Sequence, residues 1–296
     1  ILNEPHDIKD PALWPAAQAR LAAAIRAAAP HHTIIATGDD YSNIPGLLRL
    51  KPLSDPNIVY TFHFYEPHNF THQGATWGWP PWKHMKGLPY PSTPEALAPL
   101  AARIEDKTAQ SATLAYGRER WGPARIQAEI AKAREWSRTN RRPIYCGEFG
   151  VYAQFSPRES RLSWLHDTTE ALAESKIGWA MWDYTGGFAL APGEPGKREL
   201  DTECARALGL TITKEHHRSP LTAHRHAPRP SATHDLPLPR LRPPRRTLRA
   251  PLHPLRSAHP RRRTTRHQVG QTRIHRPAAH PSHRTRPRPL PPGTGR

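Results

Sequence analysis

The chain has 296 residues, 43 Lys and Arg against 25 Asp and Glu, a formal charge of +18 and 35 prolines, with a mean hydropathy of −0.74. That composition is too polar and too proline-rich for the whole chain to pack around a core. No run of eighteen apolar residues exists, which excludes a hydrophobic membrane-spanning helix, and two cysteines, Cys146 and Cys204, offer neither a disulfide framework nor metal-ligand spacing.

Taken in order, Ile1-Leu2 reads as the stub of a strand that delivers Asn3 and Glu4 and is closed by Pro5. The chain opens inside this stub without Met, so the expected start of the protein, with any targeting signal, lies upstream. Asp10 is expected to cap a helix running to Ala29, with Leu13, Ala17, Leu21, Ala24 and Ala28 on its inner face. Thr33 to Thr37 is short, β-branched and apolar, as a strand buried on both faces should be, and ends in the polar loop Gly38 to Ser42. A second such strand, Ile58 to Tyr65, finishes in His63 and Tyr65. Residues 66 to 122 form an excursion rich in Trp, Pro and His, too long for an ordinary connection. His31-His32 and the pair His68 and His72 read as loop residues rather than as a metal site.

A helix from about Pro123, with Ile126, Ile130 and Ala133 inward, leads to the strand Ile144-Tyr-Cys146 and then to Gly147-Glu148. Ser156-Pro157-Arg158-Glu159 has the form of a capping box opening a helix with Leu162, Leu165, Thr169 and Leu172 inward. The last strand, Ile177 to Trp182, precedes the loop Asp183 to Phe188 and a short helix near Thr202 to Leu208 that carries Cys204. Strand, polar loop and helix repeat, and chemistry-bearing residues close every strand. This predicts an α/β fold: a (β/α)8 barrel truncated at its N-terminus, with strands four to eight present in residues 1–213. A doubly wound sheet is the rival, but no glycine-rich phosphate loop follows any strand.

Two carboxylates, Glu4 and Glu148, stand at strand ends among Asn, His, Tyr and Trp. Singly, each has a bland reading, as a paired strand-end acid, a turn Asn, a core His or a core Trp. Together they are what retaining glycoside hydrolysis needs: one protonated carboxyl for the leaving oxygen and one carboxylate to attack the anomeric carbon. The motifs Leu2-Asn3-Glu4-Pro5, His63-Phe-Tyr65, Gly147-Glu148-Phe149-Gly150 and Trp182-Asp183-Tyr184, with Phe70-Thr-His-Gln73, resemble those of glycoside hydrolase family 5, the cellulase family. The resemblance covers roughly residues 1 to 210. It implies Glu4 as acid/base, Glu148 as nucleophile, Asn3 on the sugar 2-hydroxyl, and His63 and Tyr65 beside the reacting centre, with Tyr65 bonded to Glu148. It also implies Trp182 under the sugar, and Glu4 rather than Glu148 holding a proton. Trp77, Trp79 and Trp82 are either packing for the excursion or stacking surfaces for pyranose rings. The expected substrate is a β-linked polysaccharide, β-1,4-glucan first. No cofactor, metal or membrane is implied, the full-length protein is expected to be a monomer, and a secreted or periplasmic location follows from the family. The family's Arg and His from its second and third strands have no counterpart. An inactive or carbohydrate-binding fragment stays open as well, because the exposed edges of an incomplete barrel should aggregate rather than turn over substrate.

The charge is concentrated at the end of the chain. Residues 215 to 296 hold 19 Arg, no Lys, 11 His, 16 Pro and two acids, with none of the nine Trp, eight Tyr or six Phe. Residues 214–296 are thus expected to be a disordered basic tail. One reading is an arm for polyanions such as nucleic acid. The favoured one is a frameshifted terminus, since Arg, Pro, His, Ala, Thr and Leu are what C- and G-rich codons give out of frame.

Overall fold

The computed structural model describes residues 1–10 and 12–212. Its centre is a sheet of β1 (Ile34–Thr37), β2 (Ile58–Phe64), β3 (Ile144–Phe149) and β4 (Gly178–Trp179). All neighbours are parallel and the spatial order follows the chain, β1-β2-β3-β4. An order that never reverses has no switch point, which separates it from a doubly wound sheet and leaves the progression of a barrel wall.

The helices are α1 (Leu13–Ala28), α2 (Ile44–Arg49), α3 (His68–Thr71), α4 (Pro94–Ala101), α5 (Lys107–Glu119), α6 (Pro123–Asn140), α7 (Arg158–Glu174) and α8 (Thr202–Ala207). The excursion of residues 66 to 122 is therefore built, holding α3, a 3₁₀ turn at Pro80–His84, α4 and α5. Thr93 and Asp106 start α4 and α5 by accepting the backbone N–H of Ala96 and Ala109, each such cap being worth about 1 kcal/mol.

Alternation along β2 sorts its side chains. Phe62 and Phe64 are fully buried, Phe64 lying parallel to the Trp164 indole of α7 at 6.0 Å. Thr61 and His63, of opposite parity, are the buried polar groups of the other face. Ile126, Ile130, Ala133 and Trp136 bury the inner stripe of α6 as its spacing predicts, and the Trp136 indole donates to the Leu50 carbonyl. Each large side chain removed from water here contributes about 1.5–3 kcal/mol.

The C-terminal part is tied together by arginines. Arg158 donates to Asp201 and Glu203. Arg161, 3% exposed, donates to the carbonyls of Val151, Phe188 and Ala189 and lies 2.7 Å from Cys204 Sγ. Cys146 and Cys204 are both buried free thiols. No helix among the described residues is long and apolar enough to cross a membrane.

Four expectations are corrected. Ile1-Leu2 is not a strand, so four strands stand where five were expected; the segment lies beside β1 through one bond, from the Ile1 amine to the Ile35 carbonyl at 2.7 Å. Regular pairing of the last strand stops at Trp179, although Ala180 and Trp182 still donate to Cys146 and Phe149 of β3. The α1 face is the reverse of that predicted: Leu13 and Leu21 are exposed, while Trp14, Gln18 and Ala22 are buried. Polar docking decided it, since the Trp14 indole donates to the Thr37 carbonyl and Gln18 Oε1 accepts the Thr37 N–H. Finally, Ser156 does not cap α7; its hydroxyl donates to the Tyr152 carbonyl, and Pro157 precedes the first turn. The readings made for residues 214–296 lie outside the described residues.

Candidate active site

The site is assembled by a defect in the sheet. Phe62 pairs with Cys146 but His63 pairs with Glu148, so Gly147 is an extra residue in β3. Such a bulge re-aims the side chain beyond it. Only glycine fits, because a Cβ at Gly147 would stand 2.4 Å from Thr61 Oγ1 and 3.4 Å from His63 Nε2. The bulge places Glu148 directly opposite His63.

His63, 4% exposed, sits between the two carboxylates. Its Nδ1 is 2.7 Å from Glu4 Oε1 and 3.5 Å from Glu148 Oε2. The Tyr65 hydroxyl donates to Glu148 Oε2 at 3.0 Å. One oxygen of each Glu and the imidazole nitrogen lie within 4.8 Å of one another, the only such group with metal-ligand spacing among the described residues. The 2.7 Å contact is a hydrogen bond, so this nitrogen and this oxygen are already committed to each other. Glu4 reaches the site from a left-handed backbone at φ 43°, a conformation that costs a non-glycine residue about 1–3 kcal/mol and must be held by its surroundings. The next residue helps hold it, since the Pro5 carbonyl accepts the Tyr41 N–H at 3.3 Å.

The electrostatics are set by burial. Glu148 is raised above the ordinary carboxylate range by burial. His63 opposes that rise, as do the Tyr65 hydroxyl and Asn3, and the charge of Glu4 adds to it. Glu148, expected from the resemblance to stay ionised, thus holds a proton more readily than an ordinary carboxyl. Burial, then the Glu148 charge, pushes the Tyr65 phenol up, so it stays a donor. His72 is pushed down to about 3 by burial and by His68, and is neutral.

All nine side chains singled out in the sequence, Asn3, Glu4, His63, Tyr65, Glu148, Trp77, Trp79, Trp82 and Trp182, line one cleft of about 680 Å³. Trp77, Trp79 and Trp182 are 47%, 39% and 47% exposed, and so present free ring surface. Trp82 is partly consumed by packing: it stacks on His72 at 4.9 Å and on His68 at 5.8 Å, and its indole donates to Asn69. His68 and His72, read as loop residues, are four apart across α3 with stacked rings and also line the cleft; their i, i+4 spacing was the available signal. Asp40, Tyr41, Asn43 and Phe188 line it as well.

A model of the family described as Cellulase (glycosyl hydrolase family 5) matches residues 1–187. Endoglucanase 3 of Fibrobacter succinogenes is 32% identical over 221 residues, 71% of this chain and 32% of that protein. Endoglucanase C of Acetivibrio thermocellus is 31% identical over 147 residues, 50% of this chain and 42% of that protein. Among solved structures, endoglucanase Cel5A of Thermotoga maritima is similar at 27% identity and a TM-score of 0.56, over 70% of this chain and 58% of that one. A hyperthermophilic endo-β-1,4-glucanase with substrate bound matches at 27% identity and a TM-score of 0.54, over 70% and 57%. The chain thus spans 32% and 42% of the two curated relatives. Its parallel βα progression is part of a (β/α)8 barrel, and the chain belongs to glycosyl hydrolase family 5, the cellulase family.

Proposed function

We propose that this chain carries the centre of a retaining glycoside hydrolase that cuts inside a β-linked polysaccharide, β-1,4-glucan first. The observation that carries it is the pair of carboxyl groups bracketing His63, with facing atoms within 4.8 Å, in a cleft lined by tryptophans. Retaining enzymes hold their two carboxyl groups about 5–5.5 Å apart, whereas inversion needs about 6.5–9.5 Å to seat a water. In this reading Glu148 attacks the anomeric carbon while Glu4 protonates the departing glycosidic oxygen. Glu4, now a carboxylate, then takes a proton from the water that hydrolyses the glycosyl ester. His63 and the Tyr65 hydroxyl offset the burial of Glu148 and keep its attacking form accessible. Trp182, Trp77 and Trp79 supply stacking faces for the chain of sugars, with Asn3 on the 2-hydroxyl. That the relatives are endoglucanases and an endo-β-1,4-glucanase supports the glucan choice, and one solved relative holds mannotriose, which makes mannan the next substrate to try. A polymer of this kind is met outside the cytoplasm, and the named relatives are bacterial; a secreted or periplasmic enzyme, monomeric when full length, fits both.

Azide rescue separates the roles. With an aryl β-cellobioside bearing a good leaving group, Glu4→Gln should form the glycosyl-enzyme, stall, and release β-glycosyl azide when azide is added. Glu148→Gln should yield no β-azide; a β-azide from that variant reverses the assignment. A second reading, a carbohydrate-binding fragment without turnover, is favoured by β1, which among the described residues pairs with β2 alone. Cellopentaose binding with no hydrolysis of β-glucan or β-mannan by the 296-residue chain would select it.

A further inference from the structure

β2 ends at Phe64, one residue short of Tyr65, so the sheet ladder stops before the residue whose hydroxyl meets Glu148. Two side chains hold that residue instead. Glu66 turns its carboxyl back along the chain, and Oε2 accepts the Tyr65 N–H at 3.1 Å. The Thr71 hydroxyl donates to the Tyr65 carbonyl at 2.6 Å. Both polar groups of the Tyr65 backbone are therefore met by side chains, one from the next residue and one from α3. Tyr65 is buried, where a backbone group without a partner is costly, so it keeps the position in which both are met.

Each side of this clamp is itself anchored. The Glu66 carbonyl accepts the Trp164 indole N–H of α7 at 3.1 Å. Thr71 is fully buried, and its carbonyl accepts the Tyr152 N–H. The Thr71 hydroxyl has one hydrogen, which goes to Tyr65, so the 2.9 Å contact with His72 Nδ1 is a bond donated by the ring. Glu66 also lines the cleft, a carboxyl with no part in the double displacement. Burial pushes it up, His68 of α3 and the N–H groups of Glu66 and Tyr65 draw it down, and Glu129 of α6 adds to the rise. Its charge also reaches the buried Cys146 thiol of β3. Either form of a carboxyl accepts an N–H, so the clamp does not depend on which form Glu66 takes.

We propose that Glu66 and Thr71 are positioning residues for the reaction: by clamping the N–H and the carbonyl of Tyr65 they hold its hydroxyl on Glu148 Oε2, 3.0 Å away. They act through Tyr65 and take no part in bond breaking. The inference rests on Glu148 being the attacking carboxylate.

The test uses the full 296-residue chain and follows the Glu148 carboxyl directly by carbon-13 NMR, in protein labelled at glutamate Cδ, its resonance being the one missing from Glu148→Gln. This readout needs no turnover. Glu66→Met keeps the length of the side chain and removes the acceptor. Glu66→Gln keeps an acceptor oxygen and controls for the lost charge, and Thr71→Val removes the donor at nearly constant volume. Glu66→Met should raise the Glu148 midpoint by about one unit, the lower end for losing a hydrogen bond to a charged group, and Thr71→Val by about half a unit. Glu66→Gln should stay within about 0.3 unit of the parent. In a Tyr65→Phe background neither Glu66→Met nor Thr71→Val should move the midpoint further, because the hydroxyl they place is gone. On an aryl β-cellobioside, Glu66→Met should lower kcat about tenfold with KM within about twofold. An unmoved midpoint in Glu66→Met, a glutamine variant that moves as far as the methionine one, or an undiminished shift in the Tyr65→Phe background overturns the proposal. If Glu66→Met does not fold, Thr71→Val carries the same test, and an unmoved midpoint there overturns it too. The expected shifts in a chain that hydrolyses neither β-glucan nor the aryl substrate would keep the clamp and sink the hydrolase reading; hydrolysis with unmoved midpoints would do the reverse.

Discussion

Gly147→Ala is the most discriminating single change, because the bulge it fills sets both packing and site. The new Cβ would lie 2.4 Å from Thr61 Oγ1, about 1 Å inside ordinary contact. Thr61 is buried and β-branched, so turning Oγ1 aside brings its methyl group toward the same space. Either β2 and β3 separate or Glu148 slides along His63. Overpacking of this kind costs about 1–3 kcal/mol, and a displacement near 1 Å at a reacting group costs about 100-fold in rate. Urea unfolding and kcat/KM on an aryl β-cellobioside read the two effects. Thr61→Ala removes the obstructing atoms, so the double variant Gly147→Ala/Thr61→Ala should recover most of the lost stability, a coupling well beyond additivity. Gly147→Ala with an unfolding free energy within about 0.5 kcal/mol of the parent, or a double variant no better than the sum of its parts, would show that the bulge does not constrain position 147.

Glu148 has its pKa raised in the folded state, so the native protein holds this proton more tightly than the unfolded chain does. Its contribution to stability is fully present below the unfolded pKa and is lost as pH rises through the folded one. Glu148→Gln should therefore gain stability relative to the parent at pH 7 and lose that advantage near pH 4, as urea midpoints at the two pH values would report; the opposite slope refutes the assignment. Tyr65→Phe removes the donor to Glu148 Oε2, an interaction with a charged group worth about 1.5–3 kcal/mol, so it should shift the acidic limb of the pH–rate profile upward; an unmoved limb means the hydroxyl does not tune Glu148. On α1, Leu21→Glu should change stability by less than about 0.5 kcal/mol while Trp14→Ala costs about 3–5 kcal/mol, measured by the same unfolding assay. The reverse ranking would restore the face that hydrophobic spacing suggested.

That last pair marks where the sequence stops being legible. Glu148, His63 and Tyr65 could be read because each closes a short apolar strand, where an unpaired polar group is expensive and so conspicuous. The α1 face could not: Leu13 and Leu21 repeat at helical spacing, yet the Trp14 indole donating to the Thr37 carbonyl and Gln18 Oε1 accepting the Thr37 N–H orient the helix the other way. Periodicity reports which residues are apolar, not which face a strand end will claim. Tyr41 was hidden for a different reason. The residue types around it mark a polar loop, but no glycine among Asp40, Tyr41 and Ser42 announces that three consecutive residues take the left-handed region.

The guanidinium of Arg161 bears on how the cleft moves. It grips the Phe188 and Ala189 carbonyls from α7 and reaches Cys204 of α8, while Asp201, at the head of α8, donates its N–H to the Leu190 carbonyl. The turn bearing Phe188 therefore cannot lift unless α8 undocks with it. These segments should breathe as one unit with one opening free energy, so amide exchange at Ala189, Ala191 and Leu208 should share a single protection level. Phe188 packs edge-on to Tyr65 at 6.0 Å, and through it the last helix of the described chain sets how long the hydroxyl on Glu148 stays in place.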